Sequence, residues 1–113
     1  NDKLGTPTYT HDFAQNVKVL LEKEFWGLYN MVCNGVTGRY EVTLELIKVL
    51  GLTNEVTITP VQSEFFKEEY FADRPPSERL INKKLDLRGL NMMRDWRVCL
   101  KEYIDNYYSG FFK

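Results

Sequence analysis

Gly27-Leu28-Tyr29-Asn30-Met31-Val32-Cys33-Asn34-Gly35 is a short, largely apolar run with glycine at both ends. Its length and its strand-forming residues predict a buried β-strand. On its amino-terminal side, Phe13, Val17, Leu20 and Leu21 recur at helical spacing, predicting a helix from Thr10 or His11 to about Lys23 with those residues on its apolar face. Asp12 falls in the first turn, where a carboxylate meets the positive end of the helix dipole. On the other side, Val42, Leu46, Ile47, Val49 and Leu50 make Tyr40 to Leu50 a second helix, and Gly51 stands where a helix end wants a left-handed residue. Val56 to Val61 is a second predicted strand, with Pro60 marking an edge or an end. Ser63 to Tyr70 reads as a turn of helix, and Arg74-Pro75-Pro76 must be extended. Leu80-Ile81-Asn82 is a third, shorter strand, and Lys83 to Gly89 a short helix. Trp96, Cys99, Leu100, Tyr103, Ile104 and Tyr107 define a last helix from Arg94 to about Tyr108. The fold class is therefore α/β, with few strands and three or four helices. Two good strands are thin for a free-standing sheet, and the pattern points to a piece of something larger.

The totals bound the function classes. The 113 residues make one domain, 1–113. With 43 % hydrophobic and 27 % charged residues the composition is that of an ordinary globular chain. A net charge of -1, with acids and bases interspersed, argues against nucleic-acid binding. No apolar run approaches a membrane span and no signal peptide is recognisable. Cys33 and Cys99 are far apart in sequence and flanked by apolar residues, so both are expected to be reduced core thiols in a cytoplasmic protein.

No glycine-rich dinucleotide turn, P-loop, CxxC pair or Tyr-x-x-x-Lys pair is present, and His11 is the only histidine. No metal site and no catalytic residue is expected from such a set. Two loops carry the polar signals. In Gly5-Thr6-Pro7-Thr8, glycine and proline shape a tight turn, and the threonines offer hydroxyls close to a helix start, where a diphosphate or a sugar hydroxyl would be stabilised; a plain helix-entry loop uses the same residues. In Arg74-Pro75-Pro76 a stiffened loop presents a guanidinium fork suited to phosphate or carboxylate. Phe65, Phe66, Tyr70 and Phe71 could stack on a base, or pack beneath the loop.

Taken in order, these segments resemble a known family. Asp2-Lys3-Leu4-Gly5-Thr6-Pro7-Thr8-Tyr9-Thr10-His11-Asp12-Phe13-Ala14, the Gly27 to Gly35 run, Arg39-Tyr40-Glu41-Val42, Arg74-Pro75 with Leu80 to Leu85 and Gly89-Leu90, and Met93-Arg94-Asp95-Trp96 with Leu100 and Tyr103 are similar to successive motifs of the dTDP-4-dehydrorhamnose reductases among the extended short-chain dehydrogenases. Lys3 replaces the family's usual Gln, and Asn30 stands where His is common. The resemblance covers nearly the whole chain and implies the carboxy-terminal part of a Rossmann-type enzyme, without the half that carries the dinucleotide turn and the Tyr-x-x-x-Lys pair.

By that resemblance, the parent would pass a hydride from NADPH or NADH to a keto group of a nucleotide-linked hexose in deoxysugar synthesis. This chain would hold the nucleotide-sugar, dTDP-linked by preference. Gly5, Thr6, Pro7 and Thr8 would wall the sugar pocket and Arg74 would meet the diphosphate. The chain alone would bind no cofactor and be inactive; its partners would be the amino-terminal Rossmann half and, through an exposed strand edge, a second copy of itself. A non-catalytic interaction or regulatory module of the same fold, and a portion of a sugar-nucleotide epimerase or dehydratase, are the alternatives; an unrelated small α/β domain is a third.

Overall fold

The computed structural model describes residues 3–62 and 75–108, and four helices lie within them: α1 (Thr10–Lys23), α2 (Arg39–Leu50), α3 (Lys83–Leu87) and α4 (Trp96–Tyr107). Each sits where the apolar periodicity places it, and the ends follow local chemistry. α2 stops at Gly51, whose φ of 73° is the left-handed conformation a side chain resists. α4 starts at Asp95, whose carboxylate accepts the Arg97 N–H and satisfies one of the orphan donors of the first turn. α1 ends on Glu24 at a φ of 57°, its N–H returning to the carbonyls of Leu20 and Leu21.

The core is built from Met31, Cys33, Leu85, Met93, Trp96 and Cys99. Tyr9, Val17, Leu20, Val42, Leu90 and Leu100 pack around it, half-buried, and α2 lies against α4. Trp96 and Leu85 are the largest apolar side chains fully removed from water, so α4 and α3 contribute most per residue.

The expected burial of α1 is corrected. Phe13 and Leu21 are 45 % and 56 % exposed, while Asp12 and Asn16 are the buried residues of the helix. The inward face is turned by about one residue toward the 12–16–20 row, because polar partners for Asp12 and Asn16 wait on the opposite side.

The strands are also corrected. No strand ladder occurs among the described residues, only isolated bridges of Leu4 with Gly38 and Ser77 and of Asn34 with Asp95. The Gly27 to Gly35 run enters the core through Met31 and Cys33, yet no neighbouring strand pairs with it. Apart from the Asn34–Asp95 bridge, where the Asn34 N–H donates to the Arg94 carbonyl and the Asn34 carbonyl accepts the Trp96 N–H, side-chain amides pair its backbone. Asn82 accepts the Val32 N–H at 2.9 Å and donates to the Val32 carbonyl at 2.7 Å, as a strand neighbour would. Asn16 does the same for the segment before α4, donating to the Leu90 carbonyl at 2.9 Å and accepting the Met92 N–H at 2.8 Å. Asn34 adds a bond to the Met93 carbonyl. Val56 to Val61 and Leu80 to Asn82 form no ladder either; the expected helical turn at Ser63 to Tyr70 lies outside the described residues.

Candidate functional site

Loop 3–9 is held at both sides. The Leu4 N–H donates to the Pro76 carbonyl and the Leu4 carbonyl accepts the Glu78 N–H, both at 2.8 Å. The Gly5 N–H donates to the Thr37 carbonyl at 2.9 Å, and the Thr6 hydroxyl to the Gly35 carbonyl at 2.6 Å. The Tyr9 N–H points to Cys33 Sγ at 3.4 Å. Three segments distant in sequence, 4–9, 33–38 and 76–78, thus form one polar surface beside the start of α2.

Of the residues expected at the site, Gly5, Thr6 and Thr8 are half-buried and Pro7 is exposed. The Thr6 hydroxyl is engaged by Gly35, whereas the Thr8 hydroxyl has no partner among the described residues. A Cβ placed on Gly5 would meet nothing within 4 Å, so the loop leaves open space above it. Arg74 and the aromatic set Phe65, Phe66, Tyr70 and Phe71 lie outside the described residues. Pro76, two residues beyond Arg74, is bonded to Leu4, which ties the Pro-stiffened loop to the threonine loop.

Gly35 is the pivot of this surface. Its φ is 105°, and a Cβ there would stand 2.8 Å from the Trp96 ring and 3.1 Å from an Asp95 carboxylate oxygen. The buried Trp96 Nε1 beside it has no acceptor among the described residues. Gly35→Ala is expected to cost about 1–2 kcal/mol through backbone strain and this contact. Urea unfolding measures the cost, and an unchanged midpoint would show that Gly35 holds no constrained conformation.

Beneath the loop lies an ionic network that the spacing of residues did not reveal. Arg94 donates from Nε and Nη2 to the two oxygens of Asp12 at 2.9 and 2.8 Å, and from Nη1 and Nη2 to Glu102 at 3.2 and 2.7 Å. The guanidinium, more than burial opposes it, pulls the Asp12 carboxyl down to about 2 and lowers Glu102 as well. Burial, then the Glu102 charge, pushes the Tyr9 hydroxyl up. The signal available in sequence was the pairing of Asp12 with Asn16, two polar residues four apart and therefore on one helix face. His11, Asp12 and Glu102 bring possible metal-ligand atoms within 4.8 Å of one another. All four carboxylate oxygens already receive Arg94, so the arrangement suits a guanidinium rather than an added cation.

At the head of α2, a Cβ on Gly38 would meet the Lys3 carbonyl oxygen at 2.9 Å and the Glu41 carboxylate at 3.0 Å, so glycine there lets loop 3–9 approach the helix start closely. No described helix is long and apolar enough to cross a membrane.

The family described as the RmlD substrate binding domain matches residues 1–109. The spore coat polysaccharide biosynthesis protein SpsK of Bacillus subtilis (strain 168) is 30 % identical over 104 residues, 92 % of this chain and 35 % of that protein. A dTDP-4-dehydrorhamnose reductase structure from Clostridium acetobutylicum superimposes with a TM-score of 0.86 at 33 % identity, over 93 % of this chain and 36 % of that one. The reductase of Bacillus anthracis, solved in complex with NADP, gives 0.84 at 24 % identity over 93 % and 36 %, a likeness of fold. The chain thus spans about a third of the length of these relatives.

Proposed function

The chain belongs to the RmlD substrate binding domain family, and from that premise we propose that it is the nucleotide-sugar-binding portion of an NAD(P)-dependent reductase that acts on a dTDP-linked 4-keto-6-deoxyhexose in deoxysugar synthesis. The observation that carries the reading is the fastening of loop 4–9 to segments 33–38 and 76–78, which assembles the family's motif residues into one surface. On that surface Thr6 shapes the loop, and Thr8, with its unengaged hydroxyl, contacts the sugar. Gly5 and Pro7 form the wall, and Arg74, carried by the loop that Leu4 binds, meets the diphosphate. Residues 1–113 act as a single domain, which the core uniting Met31, Leu85 and Cys99 supports. NADPH or NADH belongs to the amino-terminal Rossmann half of the parent, and no residue of this chain is assigned a chemical step.

A second feature supports the amino-terminal Rossmann half as a partner. Leu28, Leu87 and Ile81 are 89 %, 77 % and 68 % exposed, and Leu28 and Leu87 share one cavity of about 300 Å³. Apolar surface of this kind beside an unladdered segment calls for cover, by the Rossmann half in the parent or by a second copy in the isolated chain.

An amide-resolved NMR titration tests the binding reading. With dTDP-rhamnose, shifts confined to Gly5 through Tyr9 and to the segment around Arg74 are expected, with weaker ones from UDP-glucose and none from NADPH. An unmoved Thr8 amide at saturating dTDP-sugar, or reduction of a dTDP-keto sugar by this chain alone with NADPH, would overturn the reading.

A further inference from the structure

Cys33 and Cys99 are both free and buried, with their sulfurs 3.7 Å apart. The Cys33 S–H faces Cys99 Sγ, and the Cys99 S–H donates to Asp12 Oδ2 at 3.2 Å. A disulfide requires sulfurs about 2.05 Å apart, so an approach of about 1.7 Å would close one. The two sides are unequal in stiffness. Cys99 sits within regular α4, whose neighbour Asp12 is clamped by Arg94. Cys33 sits in a segment without a ladder, held by the Asn82 amide at Val32 on one side and by the single Asn34–Asp95 bridge on the other. Cys33 therefore makes the move. Its sulfur accepts the Tyr9 N–H, and Gly35, two residues on, accepts the Thr6 hydroxyl. Any displacement of Cys33 toward α4 acts on these two of the threonine loop's fastenings.

We propose that Cys33 and Cys99 form a reversible two-electron thiol pair that closes to a disulfide on reaction with hydrogen peroxide and thereby shifts the Thr6–Tyr9 loop. The Cys33 sulfur attacks one peroxide oxygen, the O–O bond breaks, and a sulfenic acid and one water result. The Cys99 sulfur then displaces the hydroxyl: the S–O bond breaks, the S–S bond forms, and the second water leaves with the Cys99 proton. Two thiols are oxidised and one peroxide is reduced to two waters. Cys33 reacts first because burial, and the Asp12 carboxylate as acceptor, push the Cys99 thiol well above the ordinary thiol range and keep it protonated. Both sulfurs are almost wholly excluded from solvent, so the reaction waits on local opening and runs slower than with free cysteine. The effect on a ligand rests on the function proposed above; the disulfide and the loop shift do not.

The test treats the chain with hydrogen peroxide, blocks remaining thiols with N-ethylmaleimide under denaturing conditions, and maps peptides by mass. A linked pair containing Cys33 and Cys99, lighter by two hydrogens, is expected; dithiothreitol reverses it and Cys99→Ser abolishes it. In the oxidised chain the amides of Tyr9 and Gly35 should move more than those of α2. Both thiols still blockable after hours of exposure, far beyond the time that consumes a free-cysteine control, sulfinic acid at either position, or links only between chains would overturn the pair. A link with Tyr9 and Gly35 unmoved would overturn the coupling. The wild-type map decides the pair even where Cys99→Ser fails to fold. Absence of nucleotide-sugar binding to the reduced chain would count against the function proposed above and leave these readouts intact.

Discussion

Arg94→Met is expected to lower the stability of the chain by about 2–4 kcal/mol, because it leaves the Asp12 carboxylate, 4 % exposed, without its bidentate partner. The figure sits toward the low side of buried-pair losses because the Arg94 side chain itself is 39 % exposed and partly screened. Glu102→Gln touches the outer arm of the same network, and its exposure to solvent makes the cost smaller than that of Arg94→Met.

The pH dependence distinguishes this account from simple loss of packing. Asp12 titrates at about 2 in the folded chain against an ordinary 3.8, chiefly through the Arg94 bonds and secondarily through the Cys99 S–H. A depressed carboxyl stabilises the fold above its unfolded value, and the contribution, about 2 kcal/mol, is lost as pH falls from about 4 through 2. Without Arg94 the buried carboxyl favours its neutral form, so its folded value rises above the unfolded one and the variant gains stability on acidification from neutral pH toward about 4. Relative to wild type, the variant's urea midpoint should therefore rise from neutral pH toward about 4, whereas the Asp12-linked loss in wild type follows only between about 4 and 2. Parallel slopes would show that the Asp12–Arg94 pair does not govern acid stability.

Asn82→Ala carries the second large effect, also about 2–4 kcal/mol. It removes two hydrogen bonds to Val32 and leaves the backbone there half-buried without its amide partner. Asn82→Asp is the sharper probe. Its carboxylate still accepts the Val32 N–H, yet it sets a negative oxygen against the Val32 carbonyl where an amide N–H had donated, so most of the loss should persist. Hydrogen exchange at Val32 should rise in both variants while the amides of α2 remain protected. Stability within a few tenths of wild type for Asn82→Ala would mean that water replaces the amide without cost, and the side chain would no longer count as a surrogate strand.

The helices were readable because their information is local. Periodic apolar residues, Gly51 at the end of α2 and the last apolar set of α4 act within a few residues, and the structure places all four helices there. Gly5 to Thr8 was readable as a loop for the same reason, since glycine and proline act on the backbone directly. Strands were another matter. Val32 has the residue type and flanks of a strand position, but a strand exists only through a second backbone, and here a single asparagine amide takes that role from fifty residues away.

The contents of the site divide along the same line. Composition, order of motifs and the absence of a dinucleotide turn were settled by the amino-acid sequence alone, since each is a property of residues in their own neighbourhood. Which threonine keeps an unengaged hydroxyl, which face of α1 turns inward, that Asp12 is neutralised by Arg94, and that two cysteines sixty-six positions apart touch were decided only by the tertiary structure. The physical reason is that burial and pairing are energies of proximity between distant parts of the chain. Local propensity carries no term for them until the chain has closed on itself.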